Sequence, residues 1–223
     1  MIEDTKINKN NFENLNYKLK VVDNFLSQSD YESLCKLEIN KSFNKGFMVY
    51  HNEINDNGII KSVIDKKLLQ ELYKNYHSLS MEILKELCPE KLELYEYSDF
   101  TIIVTDKDSK FPIHDDTPNK LLSGVIYLAP ENNSGTIFYN DKVGHGKTEI
   151  EWKTNRAVFF SRKERETWHS YEGDEKNKRV ALVYNLMTTQ IKKVFKIEKK
   201  NYFIGNLRWK LSPYIFRYLK III

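Results

Sequence analysis

Apolar positions along the chain fall into two textures that meet near Lys91. Before it they recur mainly at helical spacing, and after it they come in short alternating runs divided by turn residues. YKLKVVDNFL (17–26) alternates like a strand. Ser29 followed by Glu32 then has the spacing of a capping box, which predicts a helix to about Leu37 with Tyr31, Leu34 and Cys35 on one face. GFMVYHNE (46–53) reads as a strand ending in the turn-rich INDNG. Between Ile64 and about Leu87 the apolar residues, among them Leu68, Leu72, Tyr76, Ile83 and Leu87, keep a helical period that Pro89 stops, so the longest helix belongs there. Strands are predicted at about 92–97, 100–105, 111–115, 121–129, 134–139, 147–152, 156–161, 167–171 and 178–187.

So many short strands, joined by loops such as DKDSK, PENNSG and EGDEKN, predict a mainly β, α+β fold. Its core would be a double-stranded β-helix (jelly roll), with the N-terminal helices packed against one sheet. At 223 residues the chain fits one domain: a supporting region at 1–91, the core at 92–190 and a basic, aromatic extension at 191–223. Two readings stand for the tail at 201–223, a helix packed on the core or a segment touching a membrane surface or partner.

Composition narrows the classes without choosing a function. Charged and apolar fractions are those of a globular protein, and a net charge of +4 says little about partners. Cys35 and Cys88 are too few for a disulfide framework or a zinc knuckle. The opening residues carry no apolar leader core, and no apolar run reaches the roughly 18 to 20 residues of a membrane span. The expectation is a soluble, cytoplasmic protein.

The candidate chemistry lies in the strand-rich half. His114 and Asp116 flank Asp115 at a strand end, and on an extended chain residues two apart share a face, so these two would point inward together. His169 on a distant strand would complete two imidazoles and a carboxylate, a donor set suited to Fe(II) with coordination positions left open. Taken alone, His169 reads better as a core histidine between Trp168 and Tyr171. Arg179 opens an otherwise apolar strand ten residues later. A buried guanidinium needs an anion, and one carboxylate of a dicarboxylate would supply it, whereas the ordinary alternative is a surface pair with Glu172, Asp174 or Glu175. His51 and His77 have no partners at ligand spacing, and His145, between Gly144 and Gly146 in a loop, reads as a solvent-exposed histidine ahead of a substrate contact.

His-X-Asp, a histidine fifty-five residues on and an arginine ten beyond that resemble the 2-oxoglutarate/Fe(II) dioxygenase superfamily, in its prolyl-4-hydroxylase-like branch. LLSGVIYLAPENNSGTIFY resembles that branch's paired strands, with Gly135-Thr136 leading the second. The resemblance covers about residues 92–187. It implies His114, Asp116 and His169 as catalytic metal ligands and Arg179 as the 2-oxoglutarate clamp, with Fe(II), 2-oxoglutarate and O₂ as cofactor and cosubstrates. Many members place a tyrosine on the strand before His-X-Asp; this chain offers Thr105 there, and Tyr127 on the following strand is the other candidate for holding 2-oxoglutarate. The arginine spacing differs from that of the nucleic-acid demethylating branch, which argues against nucleic acid as substrate. The activity implied is hydroxylation of a small molecule, a glycan or lipid precursor, or a protein side chain, with release of succinate and CO₂. A non-catalytic jelly-roll module that binds metal or ligand is the alternative, with a metalloenzyme using no 2-oxo acid as a third reading.

Overall fold

A computed structural model describes residue 12 and residues 14–37 and 46–219. In chain order its elements begin with β1 (Lys20–Val22), α1 (Gln28–Cys35), β2 (Phe47–Tyr50), β3 (Glu53–Asn55), β4 (Gly58–Lys61) and α2 (Lys66–Leu87). After a 3₁₀ turn at Pro89–Leu94 come β5 (Tyr97–Thr105), β6 (Lys110–His114), β7 (Lys120–Ala129), β8 (Thr136–Tyr139) and β9 (Thr148–Ile150). The chain continues through β10 (Ala157–Phe160), β11 (Trp168–Glu172), β12 (Arg179–Met187), α3 (Ile191–Ile197) and α4 (Tyr202–Leu219).

The strands form two antiparallel sheets. The larger runs β1-β10-β7-β12-β5-β3-β4, with β2 also paired to β5, and the smaller runs β6-β11-β8-β9. Alternation along the central strands divides the large sheet's faces. Phe100, Ile102 and Val104 of β5 and Val180, Leu182, Tyr184 and Leu186 of β12 join Leu69, Leu72, Tyr76, Ile83 and Leu84 of α2 in the main core. The opposite face carries Thr105, Thr101 and Asp99 of β5, Arg179 and Asn185 of β12, and Tyr127 and Ser123 of β7. That second face looks toward the smaller sheet: Tyr127 packs with Phe138 of β8 and with Phe160 and Trp152 in a separate cluster.

Three expectations need correction. LELYEY at 92–97 is a 3₁₀ turn followed by the first residue of β5. Pro89 starts that turn, and Lys91 is pulled inside it to donate to Glu198 at 2.7 Å, a partner 107 residues away. The N-cap of α1 is Ser27, whose hydroxyl accepts from the Asp30 amide, so Ser29 and Glu32 form no capping box. INDNG is a hairpin rather than a terminating turn, because Gly58 takes a φ of +121° and lets β4 pair back on β3.

The tail docks on the core through α3 and the start of α4. A Cβ at Gly205 would lie 2.1 Å from the Phe195 ring, so glycine is what lets α4 lie against α3. Arg208 reaches Asp115 at 2.9 Å and Glu164 at 2.7 Å. Residues 220–223, and the side chains of 213–219, lie outside the description, as does most of the N-terminal segment read for a leader. Among the described residues no helix is long and apolar enough to cross a membrane.

Candidate metal centre and cosubstrate pocket

His114 and His169 are directly opposite one another across β6 and β11. Their ring centroids lie 4.2 Å apart. The β6 strand carries a bulge at this point, for the register shifts between His169 and Tyr171, and Pro112 lies within it. The bulge turns Phe111 and His114 to the same side, with rings 4.5 Å apart.

Asp116 joins the histidines, but not by strand alternation as the sequence suggested. The strand β6 ends at His114, and Asp116 lies on the following loop. What aims its carboxylate is a pair of donors, Lys120 Nζ at 2.7 Å and Ser123 Oγ at 2.6 Å. Asp115 points away from the cluster into an ion network. It accepts from Arg208 and from the Arg165 amide, while Arg162 donates to the Asp116 carbonyl at 3.0 Å and to Glu198 at 2.7 Å.

One ligand atom each from His114, Asp116 and His169 falls within a 4.8 Å cluster, the one such group of three or more among the described residues. Its chemistry fits a divalent metal. Each histidine holds its Nδ1 against a backbone carbonyl, His114 on Pro112 at 2.9 Å and His169 on Thr167 at 3.2 Å. Donation of Nδ1–H there leaves the Nε2 lone pair for a metal. Burial pushes both imidazoles down, His114 to about 3 with the neighbouring His169 helping, so both are neutral near pH 7. Burial alone would raise the Asp116 carboxyl, but the Lys120 ammonium beside it holds it well below the usual range.

Arg179 stands on the same inner face of the large sheet, opposite Thr105 in the register. It is only 7% exposed, and burial pushes its guanidinium down. None of Glu172, Asp174 and Glu175 reaches it: Glu172 faces Lys110, and Asp174 accepts from Asn177 and Lys176. Among the described residues Arg179 has no carboxylate partner, and its Nε has no hydrogen-bond partner at all. Its contacts are aromatic, with its carbon 4.0 Å from the Tyr171 ring centre and 5.5 Å from those of Tyr127 and Trp152, plus a long bond to Thr136 Oγ1 at 3.5 Å. Tyr171 is two residues beyond His169 on β11, a step of about 7 Å along that strand.

Tyr127 is on this face too, opposite Ala181, and its hydroxyl accepts the Thr136 amide at 2.8 Å. Lys120, Ser123 and Tyr171 were not singled out by sequence reasoning. Only Tyr171 had a local signal, the two-residue step from His169. Trp168 packs with Ile137 and Tyr139, as an aromatic core residue would.

No protein-family model matches the chain, and no curated protein matches it in sequence. Solved structures do match it in shape. A Pseudomonas putida prolyl-4-hydroxylase superposes with a TM-score of 0.55 at 13% identity, covering 78% of this chain and 94% of that one. An oxidoreductase of the 2OG-Fe(II) oxygenase family from Burkholderia pseudomallei gives 0.54 at 14%, covering 76% and 84%. A Trichoplax adhaerens prolyl hydroxylase, solved with a hypoxia inducible factor peptide fragment, gives 0.52 at 15%, covering 79% and 86%. The chain thus has the fold of the 2-oxoglutarate/Fe(II) oxygenases, in the form adopted by prolyl hydroxylases.

Proposed function

We propose that the protein is an Fe(II)- and 2-oxoglutarate-dependent dioxygenase that hydroxylates a C–H bond, and that its two sheets make the double-stranded β-helix of a single domain. His114, Asp116 and His169 hold the metal, and Arg179 binds the far carboxylate of 2-oxoglutarate. When bound, Fe(II) supplies the oxidative chemistry: one atom of O₂ enters the substrate C–H bond as hydroxyl, the other enters succinate, and 2-oxoglutarate loses CO₂. The protein's own contribution is to hold and orient. Lys120 and Ser123 fix Asp116, and the Pro112 and Thr167 carbonyls fix the imidazoles. Thr105 and Tyr127 flank the cosubstrate, Tyr127 with its hydroxyl already engaged by the Thr136 amide.

The observation that carries this reading is the buried Arg179 guanidinium, which lacks a carboxylate among the described residues and stacks on Tyr171, two residues from His169 on β11. A buried cation without an anion is costly, and a dicarboxylate cosubstrate supplies one. The test is an anaerobic titration with Fe(II) and then 2-oxoglutarate, following the visible charge-transfer band of a chelated 2-oxo acid. A band in wild type that vanishes in His169→Ala is expected. Bound iron with no band in the wild type would replace the reading with a metal-binding module or another metalloenzyme.

A further inference from the structure

Asp99, Asn185 and Ser123 form one row across three neighbouring strands, because Asn185 of β12 is directly opposite both Asp99 of β5 and Ser123 of β7. Residues paired in this way share a face of the sheet. It is the inner face: the alternate residues Phe100, Leu122 and Tyr184 lie in the helix-side core. Ser123 at one end of the row donates to the metal ligand Asp116. The row therefore leads out from the metal cluster, along the same strand as Arg179 but six residues further on.

Its hydrogen bonding is incomplete in one sense only. Asn185 is 1% exposed, and its Oδ1 has no partner. Asp99 is 5% exposed; Thr101 Oγ1 lies 2.7 Å from both of its oxygens, and His51 Nδ1 is 3.3 Å away. No lysine or arginine among the described residues pairs with Asp99, and the His51 side chain is 46% exposed. At the Ser123 end of the row, Lys120 is bound to Asp116. The row thus offers a buried carboxylate without a full counter-ion beside an unsatisfied amide oxygen, and both are acceptors.

We propose that this row is the substrate anchor and that it takes a primary ammonium group, making the substrate an aliphatic amine hydroxylated at a carbon a few bonds from its nitrogen. The inference rests on the reading above, since it places the amine beside the proposed metal ligands. An ammonium group has three donors and no acceptor, so it complements Asp99 and Asn185 Oδ1 together. A substrate carboxylate would be repelled by Asp99, and a neutral hydroxyl would leave that carboxylate's charge uncompensated. Adjacent strands are about 4.8 Å apart, so a nitrogen between Asp99 and Asn185 leaves only a short carbon chain to reach the metal ligands. His51 has its affinity for a proton raised by the hydrogen bond to Asp99, the same preference for a cation at this point.

Isothermal titration of the full chain with n-butylamine and with its uncharged counterpart 1-butanol, at neutral pH, separates charge from shape. The titration is run on metal-free protein and on protein carrying Fe(II) and 2-oxoglutarate without oxygen. Saturable binding of the amine, at least tenfold tighter than the alcohol, is expected, with at least a tenfold loss in Asp99→Asn and in Asn185→Leu. Circular dichroism checks the variants, and if Asp99→Asn does not fold, Asn185→Leu decides. Equal binding of amine and alcohol, or amine binding unchanged in the folded variants, overturns the anchor. The 2-oxo acid band is read on the same wild-type samples. Its absence would remove the oxygenase reading, while amine binding by the metal-free protein tests the anchor separately.

Discussion

Replacing Arg179 with methionine pulls two measurable quantities in opposite directions if the guanidinium exists to bind a carboxylate. In the protein its charge is buried with an unpartnered Nε, one long hydrogen bond and three aromatic neighbours. Desolvation of such an ion costs several kcal/mol, on the order of 3, even after relaxation. The stacking on Tyr171, Tyr127 and Trp152 returns about 1–2 kcal/mol. Methionine is of similar length and fits among rings, so the variant without ligand should be as stable as wild type or up to about 2 kcal/mol more stable. For a chain of this size that is a rise in Tm of about 0–8 °C. Binding moves the other way. Two charge-assisted hydrogen bonds to a carboxylate are worth about 1.5–3 kcal/mol each, so the dissociation constant for 2-oxoglutarate should rise roughly 10²- to 10⁴-fold. Thermal denaturation of metal-free protein and anaerobic titration of the chelate band measure the two effects. A variant that melts well below wild type while binding 2-oxoglutarate within about threefold of it would make Arg179 a structural residue and refute the reasoning.

Three further outcomes follow from contacts outside the cosubstrate pocket. Ser123→Ala removes a 2.6 Å bond to Asp116 and should weaken Fe(II) binding about 10- to 100-fold, read by competition with a chromophoric chelator; unchanged affinity would leave Lys120 as the sole orienting group. Asp23 is held below the usual carboxylate range by Arg156 first and by Lys153 as well, so its contribution is complete above the unfolded value near about 4 and disappears as pH falls through the lower folded value. Asp23→Asn should therefore cost about 2 kcal/mol at pH 7, with its melting curve converging on that of wild type as the pH is lowered; a deficit that stays constant with pH would exclude the ion pair. Gly135→Ala would put a Cβ 1.6 Å from the Ile150 carbonyl oxygen, which forces β8 and β9 apart, and chemical denaturation should register a loss of at least about 1–3 kcal/mol.

The parts of this protein that were legible in the sequence are those with local causes. The α2 helix follows from its 3.6-residue apolar period and an aspartate cap, Asp65 accepting from the Leu68 amide. The strands from β6 to β12 follow from alternation and turn residues. His114, His169 and Arg179 stood out because a polar side chain in an apolar strand has few inexpensive places to go. The misread positions depend on distant partners. Lys91 sits in what looked like a strand because Glu198 and the Arg162 carbonyl receive its ammonium group, and neither is near in sequence. Asp116 reached the metal cluster by a route that two-residue alternation did not describe, since Lys120 and Ser123 aim it from the next strand. Nothing local in the sequence pairs Asp99 with Asn185. Only the register that sets them side by side turns two ordinary residues into a paired acceptor site.

Charge ties the pocket's parts together more tightly than proximity does. At the metal cluster the two imidazoles are neutral, and Asp116 cancels Lys120, so the uncompensated positive charge is that of Arg179. A divalent metal alone would add two more positive charges to a region where burial makes like charges expensive. On the proposed function, a dicarboxylate arriving with it cancels two of those three positive charges, one end meeting the metal and the other the guanidinium. Each therefore favours the other's binding, and by linkage the favour is equal in both directions. Further along the same sheet the imbalance reverses, because Asp99 is an anion whose nearest basic partner is a half-exposed histidine. Arg179 and Asn185 stand six residues apart on β12, so the two imbalances belong to separate stretches of the same sheet face. On the proposed function, these two opposite imbalances call for two molecules, a dianion at Arg179 and a cation at the Asp99 row.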